Sequence, residues 1–166
     1  MIELSNGGDV AAISGTWRDE LWLPLTPPGP YHETGDGAHV YWFDELPDKR
    51  VRFVWDGVPG EPFDRVLPQQ DRELLSGSEL DPRVAYYGER AGRFFVGIDG
   101  VEVGPYEGIT RSVPPTFSRR GRHVAFGAFV EGLPVLIVDG EIQGSWRVAP
   151  ARPVFSQDEE HLAFVA

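Results

Sequence analysis

The stretch "GAFVEGLPVLIVDGEIQGSWRV", residues 127–148, decides the fold, because it places an Asp-Gly pair after a run of β-forming residues. An Asp-Gly pair next to such a run is a strong signal for a β-hairpin turn. Trp146, a large aromatic residue, stands six residues after Gly140. The stretch therefore predicts two neighbouring strands, at 134–140 and 145–149.

The same arrangement recurs along the chain. Gly57 and Gly100 also close Asp-Gly pairs, and Gly15 marks a degenerate copy in which Ser14 replaces the aspartate. Consecutive glycines lie 40 to 43 residues apart, and a fixed period of this length is typical of repeat architectures. Two further landmarks keep a similar spacing: a large apolar residue six positions after each glycine (Leu21, Phe63, Tyr106 and Trp146), and a basic residue or histidine before an alternating apolar strand (His39, Arg83, His123 and His161).

Each repeat is predicted to form four short strands. In the third repeat these are 114–118, 123–129, 134–140 and 145–149, joined by polar or Gly-containing turns. Pro or Gly interrupts every stretch that is long enough for a helix. The second strand of three repeats carries a small residue before a bulky one, as packing between twisted sheets requires: Ala85-Tyr86, Ala125-Phe126 and Ala163-Phe164. We therefore expect an all-β fold with one domain over residues 1–166.

The segments "FSRRGRHVAF" (117–126) and "FSQDEEHLAF" (155–164), with looser copies at 34–42 and 75–86, resemble the repeats of TolB-type and WD-like bacterial β-propellers. That family's repeat reads Phe-Ser-Pro-Asp-Gly, a basic residue, and then an Ile/Val-Ala-Phe/Tyr strand. No copy here keeps the whole Pro-Asp-Gly turn. The resemblance extends from about Val10 to Ala166 and implies a β-propeller with four four-stranded blades per chain. Because such propellers serve as binding platforms, assembly parts and enzyme domains, it implies no single activity.

The two ends of the chain predict how the blades close. The C-terminal end supplies two strands, "PVFS" and "HLAFVA", and the N-terminal end supplies "DVAAIS" and "LWLPL", so the two half-blades complement each other. Pairing them within one chain gives a closed four-bladed ring. Exchanging them between two chains gives an eight-bladed ring from a homodimer. The sequence leaves both alternatives open.

Composition excludes several kinds of partner and chemistry. The chain has a formal net charge of −11 and a pI near 4.7, which argues against nucleic acids and anionic membranes as partners. It has no cysteine, so a disulfide, a thiolate nucleophile and a thiolate zinc site are excluded. We find no signal-peptide pattern and no apolar run of about 20 residues, and we expect a cytoplasmic protein.

The side chains of the types that carry chemistry divide into those that obey the repeat and those that break it. The repeated histidines lie one blade apart, too far apart to share a metal ion, and the aspartates before the glycines are predicted to form turns. We therefore assign no metal site, no cofactor and no catalytic residue. An arginine group near one blade is suited to receive a carboxylate or phosphate, and two residues near an inner strand are candidates for a weak ligand site. The candidate binding residues are Arg111, Arg119, Arg120, Arg122, Trp17, Arg18, His32 and Glu33.

Two classes of function follow from this pattern. The first is a non-catalytic propeller that acts as a protein- or peptide-binding or scaffolding module. The alternative is a propeller that binds a small molecule or ion, or a small enzyme, with its site at the mouth of the channel. The sequence does not identify the partner.

Overall fold

A computed structural model of the protein describes residues 31–34, 37–67 and 83–166, and these residues form strands and turns with no helix. The prediction of an all-β fold is confirmed for this part of the chain. The strands make four antiparallel sheets, which we number 1 to 4 in chain order. Within these ranges no helical segment has the length and apolar character needed to cross a membrane.

Sheets 1 and 2 each contain four strands in chain order. Sheet 1 is built from β1 (His32–Glu33), β2 (Val40–Glu45), β3 (Val51–Trp55) and β4 (Val58–Pro59). Sheet 2 is built from β5 (Arg65–Leu67), β6 (Ala85–Arg90), β7 (Arg93–Ile98) and β8 (Val101–Tyr106).

Sheet 3 has five strands and sheet 4 has two among the described residues. Sheet 3 is built from β9 (Gly108–Ile109), β10 (Thr116–Phe117), β11 (Val124–Val130), β12 (Leu133–Val138) and β13 (Glu141–Ser145). Both β9 and β10 pair with β11, at opposite ends of the same edge. Sheet 4 is the hairpin of β14 (Val154–Phe155) and β15 (Leu162–Ala163).

The last strand of sheet 3 lies earlier than the sequence predicts. The predicted strand at 145–149 is wrong in its bounds, because β13 begins at Glu141 and pairs there with Val138. Asp139 and Gly140 have φ angles of 51° and 87°, the left-handed pair of a two-residue hairpin turn, which reverses the chain at once. Trp146 follows this strand and packs against the core beneath sheet 3.

Consecutive sheets pack face to face and share their cores. Tyr41 and Phe53 of sheet 1 form one cluster with Tyr86 of sheet 2. Tyr87 of sheet 2 packs with Phe126 of sheet 3 in a second cluster. The cluster between sheets 3 and 4 contains Ala125, Leu136, Phe155 and Leu162, together with Val113 and Trp146.

The alternation of small and bulky residues determines which sheet each residue faces. Tyr86 faces sheet 1 and its neighbour Ala85 faces sheet 3, because successive side chains of a strand point to opposite faces. A Cβ atom at Gly97 would lie 2.1 Å from the ring of Tyr86, so the ring needs a glycine on the neighbouring strand. In sheet 4 the corresponding Phe164 is 36% exposed and meets Trp146 edge-on at 5.3 Å.

The described residues do not include the segment that is predicted to complete the fourth blade. "DVAAIS", Trp17, Arg18 and the repeat copy at Leu75-Ser76 all lie outside them. Among the described strands, β15 is paired along one edge only. The closed ring therefore remains a prediction.

Candidate functional site

In sheets 1, 2 and 3 an aspartate binds two neighbouring strands together. The aspartate lies in the turn after β3, β7 or β12, and its carboxylate contacts the residues at the start of the preceding strand, β2, β6 or β11. His39 Nδ1 lies 2.7 Å from Asp56 Oδ2, and His123 Nδ1 lies 2.6 Å from Asp139 Oδ2. In both cases the other carboxylate oxygen accepts the backbone N–H of the residue after the histidine. The aspartates thus tie together chain segments about one hairpin apart, in addition to forming turns.

In sheets 1, 3 and 4 a hydroxyl group binds the backbone at the histidine position. Ser118 Oγ accepts the backbone N–H of His123 at 3.1 Å, and Thr34 and Ser156 do the same for the residues five positions later. Serine, histidine and aspartate are the residue types of a catalytic triad, but a triad needs a hydrogen bond from the serine hydroxyl to the histidine ring. The hydroxyl protons here go elsewhere, from Thr34 to the His39 carbonyl, from Ser118 to Glu159 and from Ser156 to Asp158, so these residues serve the turns.

Sheet 2 supports the structural interpretation of these sets. Arg83 occupies the histidine position, and its Nε donates to Asp99 Oδ2 at 2.6 Å. Arginine stays protonated in proteins and does not act as a general base. A position that takes either histidine or arginine is therefore a donor to the aspartate, and the predicted structural role of these repeated residues fits the geometry.

The turn of sheet 4 gathers a histidine and two carboxylates at the surface. Ligand atoms of Asp158, Glu160 and His161 lie within 4.8 Å of one another. The Ser156 hydroxyl and the Glu160 N–H donate to Asp158, and both bonds hold the pKa of that carboxyl below its usual value. All three residues are exposed, and the bonds to Asp158 account for the compact turn.

The predicted arginine group does not form one cluster. Arg120 and Arg122 contact the turn of the next sheet, whereas Arg111 lies at the surface. Arg122 Nε donates to Glu159 Oε2 at 2.5 Å, and the Arg120 backbone N–H donates to the other oxygen of that carboxylate. The Glu159 side chain is fully buried, whereas the Arg122 side chain is 57% exposed. Arg111 is also exposed. Arg122 and Arg120 therefore join the turn of sheet 3 to the turn of sheet 4.

Glu159 is ionised although it is buried. Burial by itself raises the pKa of its carboxyl group. Hydrogen bonds from the Arg120 N–H, the Arg122 guanidinium and the Ser118 hydroxyl outweigh burial and lower the pKa to about 2. The charge of Glu159 is thus used to hold two turns together.

Arg119 reaches a different feature, a groove between β10 and β14. The groove has a volume of about 660 Å³ and is lined by residues 116–119 on one side and 152–157 on the other. Arg119 and Arg152 stand on opposite walls. This groove is the candidate binding site in the described part of the chain.

The other predicted site residues in the described ranges do not line this groove. His32 and Glu33 are exposed on β1, where the His32 ring stacks on Tyr41 with 5.4 Å between centroids. Sequence reasoning missed Arg152 and Gln157, which line the groove. The signal was present, because Arg152 stands where the preceding repeat has Pro114 and so breaks the pattern.

No family model matches this chain, and neither a curated protein nor a solved structure does.

Proposed function

We propose that the chain is a β-propeller of the TolB-type or WD-like kind, with four four-stranded blades, in which residues of the N-terminal half-blade complete sheet 4. Sheets 1 to 3 have at least four strands each and sheet 4 has two. His161 occupies the position of His39 and His123, yet none of the described aspartates pairs with it as Asp56 and Asp139 pair with those two. The proposed ring places a turn residue of the N-terminal half-blade beside His161.

An exposed apolar face supports the same proposal. Val154 and Val165 are 66% and 75% exposed. Val154 is opposite Ala163, and Val165 follows Ala163 by two residues. The side chains of Val154, Ala163 and Val165 therefore share one face of sheet 4. In sheets 1, 2 and 3 the equivalent face packs on the next sheet. A ring supplies a next sheet for sheet 4 as well.

The repeat predicts the register of the missing strand. In sheet 3, the backbone N–H of Val124 donates a hydrogen bond to the Asp139 carboxylate, and Ala125 lies opposite Val138. Sheets 1 and 2 keep the same offset. Transferred to sheet 4, the offset places Leu162 opposite Ser14 and Ala163 opposite Ile13.

Engineered cysteines test this register. The protein has no native cysteine, so Ala163→Cys combined with Ile13→Cys gives a clean pair. Opposed residues of antiparallel strands have Cα atoms about 4.5–5.5 Å apart, which suits a disulfide. We expect oxidation to form the disulfide in high yield, as seen on a non-reducing gel.

The matched control moves one cysteine to the opposite face. Ala163→Cys with Ala12→Cys is out of register by one residue, so its side chains point apart. A cross-link within one chain identifies the four-bladed ring, and a cross-linked dimer identifies the eight-bladed ring. Equal yields for the two pairs, or no cross-link in either, would contradict the register.

We further propose that the propeller is a non-catalytic protein- or peptide-binding module. The observation that carries this proposal is the groove of about 660 Å³ between β10 and β14, which is open along two strand edges. The side chains that resemble a catalytic set are bound to backbone groups and to each other within the repeat. As part of the proposal the module works in the cytoplasm, since a chain without cysteine gains no disulfide from an oxidising compartment.

A second candidate is binding of a small molecule or ion at the channel mouth. The volume of the groove also lies within the roughly 300–1,000 Å³ of small-ligand sites. A thermal-shift screen against metal ions and metabolites separates the two candidates. We expect no stabilising compound, and a saturable hit would favour the second candidate.

Selection of peptides tests the binding function directly. The full chain is panned against a random phage-displayed dodecapeptide library, and enriched peptides are synthesised and titrated by fluorescence polarisation. We expect several peptides that bind saturably and compete with one another. Failure to enrich any peptide would overturn the proposed function.

A further inference from the structure

The walls of the groove expose two strand edges with unused hydrogen-bonding groups. The Ser118 N–H donates to the His123 carbonyl and the Ser156 N–H donates to the His161 carbonyl, each at 2.9 Å. Bonded and non-bonded pairs alternate in an antiparallel ladder. The backbone N–H and C=O of the preceding residues, Phe117 and Phe155, therefore point away from β11 and β15.

No described strand covers these two edges. β10 pairs only with β11, and β14 pairs only with β15 among the strands that the structure describes. Both phenylalanines line the groove. Each wall of the groove thus presents the N–H and C=O of one strand residue, the groups with which an extended peptide backbone pairs.

The charge of the groove is opposite to that of the whole protein. Among the described residues its lining includes Arg119 and Arg152 and no aspartate or glutamate, although the chain has 26 acidic residues and a net charge of −11. Arg152 is exposed, and it forms no ion pair with a residue in the described ranges. Arg152 on its wall of the groove suits a carboxylate, which accepts charge-assisted hydrogen bonds.

We propose that this groove binds an extended acidic peptide segment of a partner protein, which pairs its main chain with the edge at Phe117 or Phe155 and places a carboxylate against Arg152. This inference rests on the proposed peptide-binding function and names the site and the ligand class. The alternation of donors and acceptors favours a peptide over a phosphate group, which would use the donors alone.

A charge reversal at one wall tests the proposal. Arg152→Glu is compared with Arg147→Glu, a change of equal charge at an exposed arginine that does not line the groove. For the peptides selected above, we expect Arg152→Glu to weaken binding about tenfold or more, the size of a lost charge-assisted hydrogen bond. Arg147→Glu should leave affinity within about twofold, as expected of a distant surface charge.

Changes in the peptide test the two kinds of contact separately. Selected peptides should be rich in Glu and Asp, and their Gln and Asn versions should bind about tenfold more weakly. N-methylation of alternate peptide amides should also weaken binding, because strand pairing needs every second N–H. A purely electrostatic contact would not respond to N-methylation.

The outcomes separate this inference from the proposed function. If no peptide is selected, both fail. If peptides bind but are not acidic, or bind equally to the two arginine variants, the peptide-binding function stands and this site is wrong. If Arg152→Glu lowers the thermal unfolding temperature well below that of Arg147→Glu and leaves peptide affinity unchanged, a segment of the same chain fills the groove, and the inference is overturned.

Discussion

Glu159 combines two features that each destabilise the folded protein. Its φ angle is 66°, in the left-handed region, where the equivalent turn positions of sheets 1 and 3 have Gly37 and Gly121. Its side chain is also buried and charged. A residue other than glycine in this conformation costs about 1 kcal/mol or more. The bonds from Arg120 and Arg122 explain why the side chain is kept despite this cost.

The pKa of Glu159 predicts an acid-sensitive contact. Because the pKa falls from 4.5 to about 2 on folding, the folded protein binds this proton less tightly than the unfolded chain. The stabilisation is therefore complete above about pH 4.5 and is lost as the pH falls towards 2. We expect Glu159→Gln to lower the urea midpoint at pH 7 and to flatten its decrease below pH 4.5.

Glu160→Gln is the matched control, since Glu160 is the exposed neighbour in the same turn. Its urea midpoints should follow those of the unchanged protein at every pH. If Glu159→Gln retains the acid dependence of the unchanged protein, Glu159 is not the residue that causes it.

At the scale of the element, the repeated unit is a hairpin fastened by one carboxylate. The aspartate shapes the turn, bonds the first residue of the paired strand, and binds a histidine or an arginine side chain. These three uses explain why the sequence keeps Asp-Gly at three turns and varies the basic residue. The basic position therefore requires a donor of suitable length and tolerates a change of residue type.

Substitution of His123 tests this requirement. His123→Arg should leave the free energy of unfolding unchanged within about 0.5 kcal/mol, because Arg83 makes the same contact in sheet 2. His123→Ala should lower it by about 0.5–1 kcal/mol, a small value because the pair is partly exposed. Chemical denaturation measures both. A loss with arginine as large as the loss with alanine would show that the ring itself is required.

Sequence patterning predicts some elements well and others poorly, for a physical reason. The strands around Ala85-Tyr86 and Ala125-Phe126 were predicted because their alternation spans a whole strand. The two-residue strand β9 was missed, since its pairing depends on how far β11 extends past β10. The sequence predicts Arg119 as a binding-site residue but not Arg152 on the opposite wall of the groove. The two residues come together only when sheets 3 and 4 pack against each other, which the pattern of one repeat does not reveal.

At the scale of the whole molecule, the sheets are linked in series. Sheet 2 shares clusters with sheets 1 and 3, and sheet 3 shares clusters with sheets 2 and 4. Polar contacts follow the same order, as Arg83 donates to the Gly121 carbonyl and Tyr87 donates to the carbonyls of Val113 and Gly127. The repeat period predicts this order of neighbours. It does not choose between closure within one chain and closure between two, because both use the same strand pairs.

The serial packing of the sheets has a consequence for local opening. In an open stack the hairpin of sheet 4 is a terminal unit and frays independently of the rest, whereas a ring has no terminal unit. Amide hydrogen exchange therefore reports closure without any substitution. With the ring proposed above, we expect the Ala163 amide of sheet 4 to exchange as slowly as the Ala125 amide of sheet 3, through one cooperative unfolding of the molecule. Exchange at Ala163 that is orders of magnitude faster would make this protein a stack with a loose end, whose lifetime against proteases is set by the opening of its last hairpin.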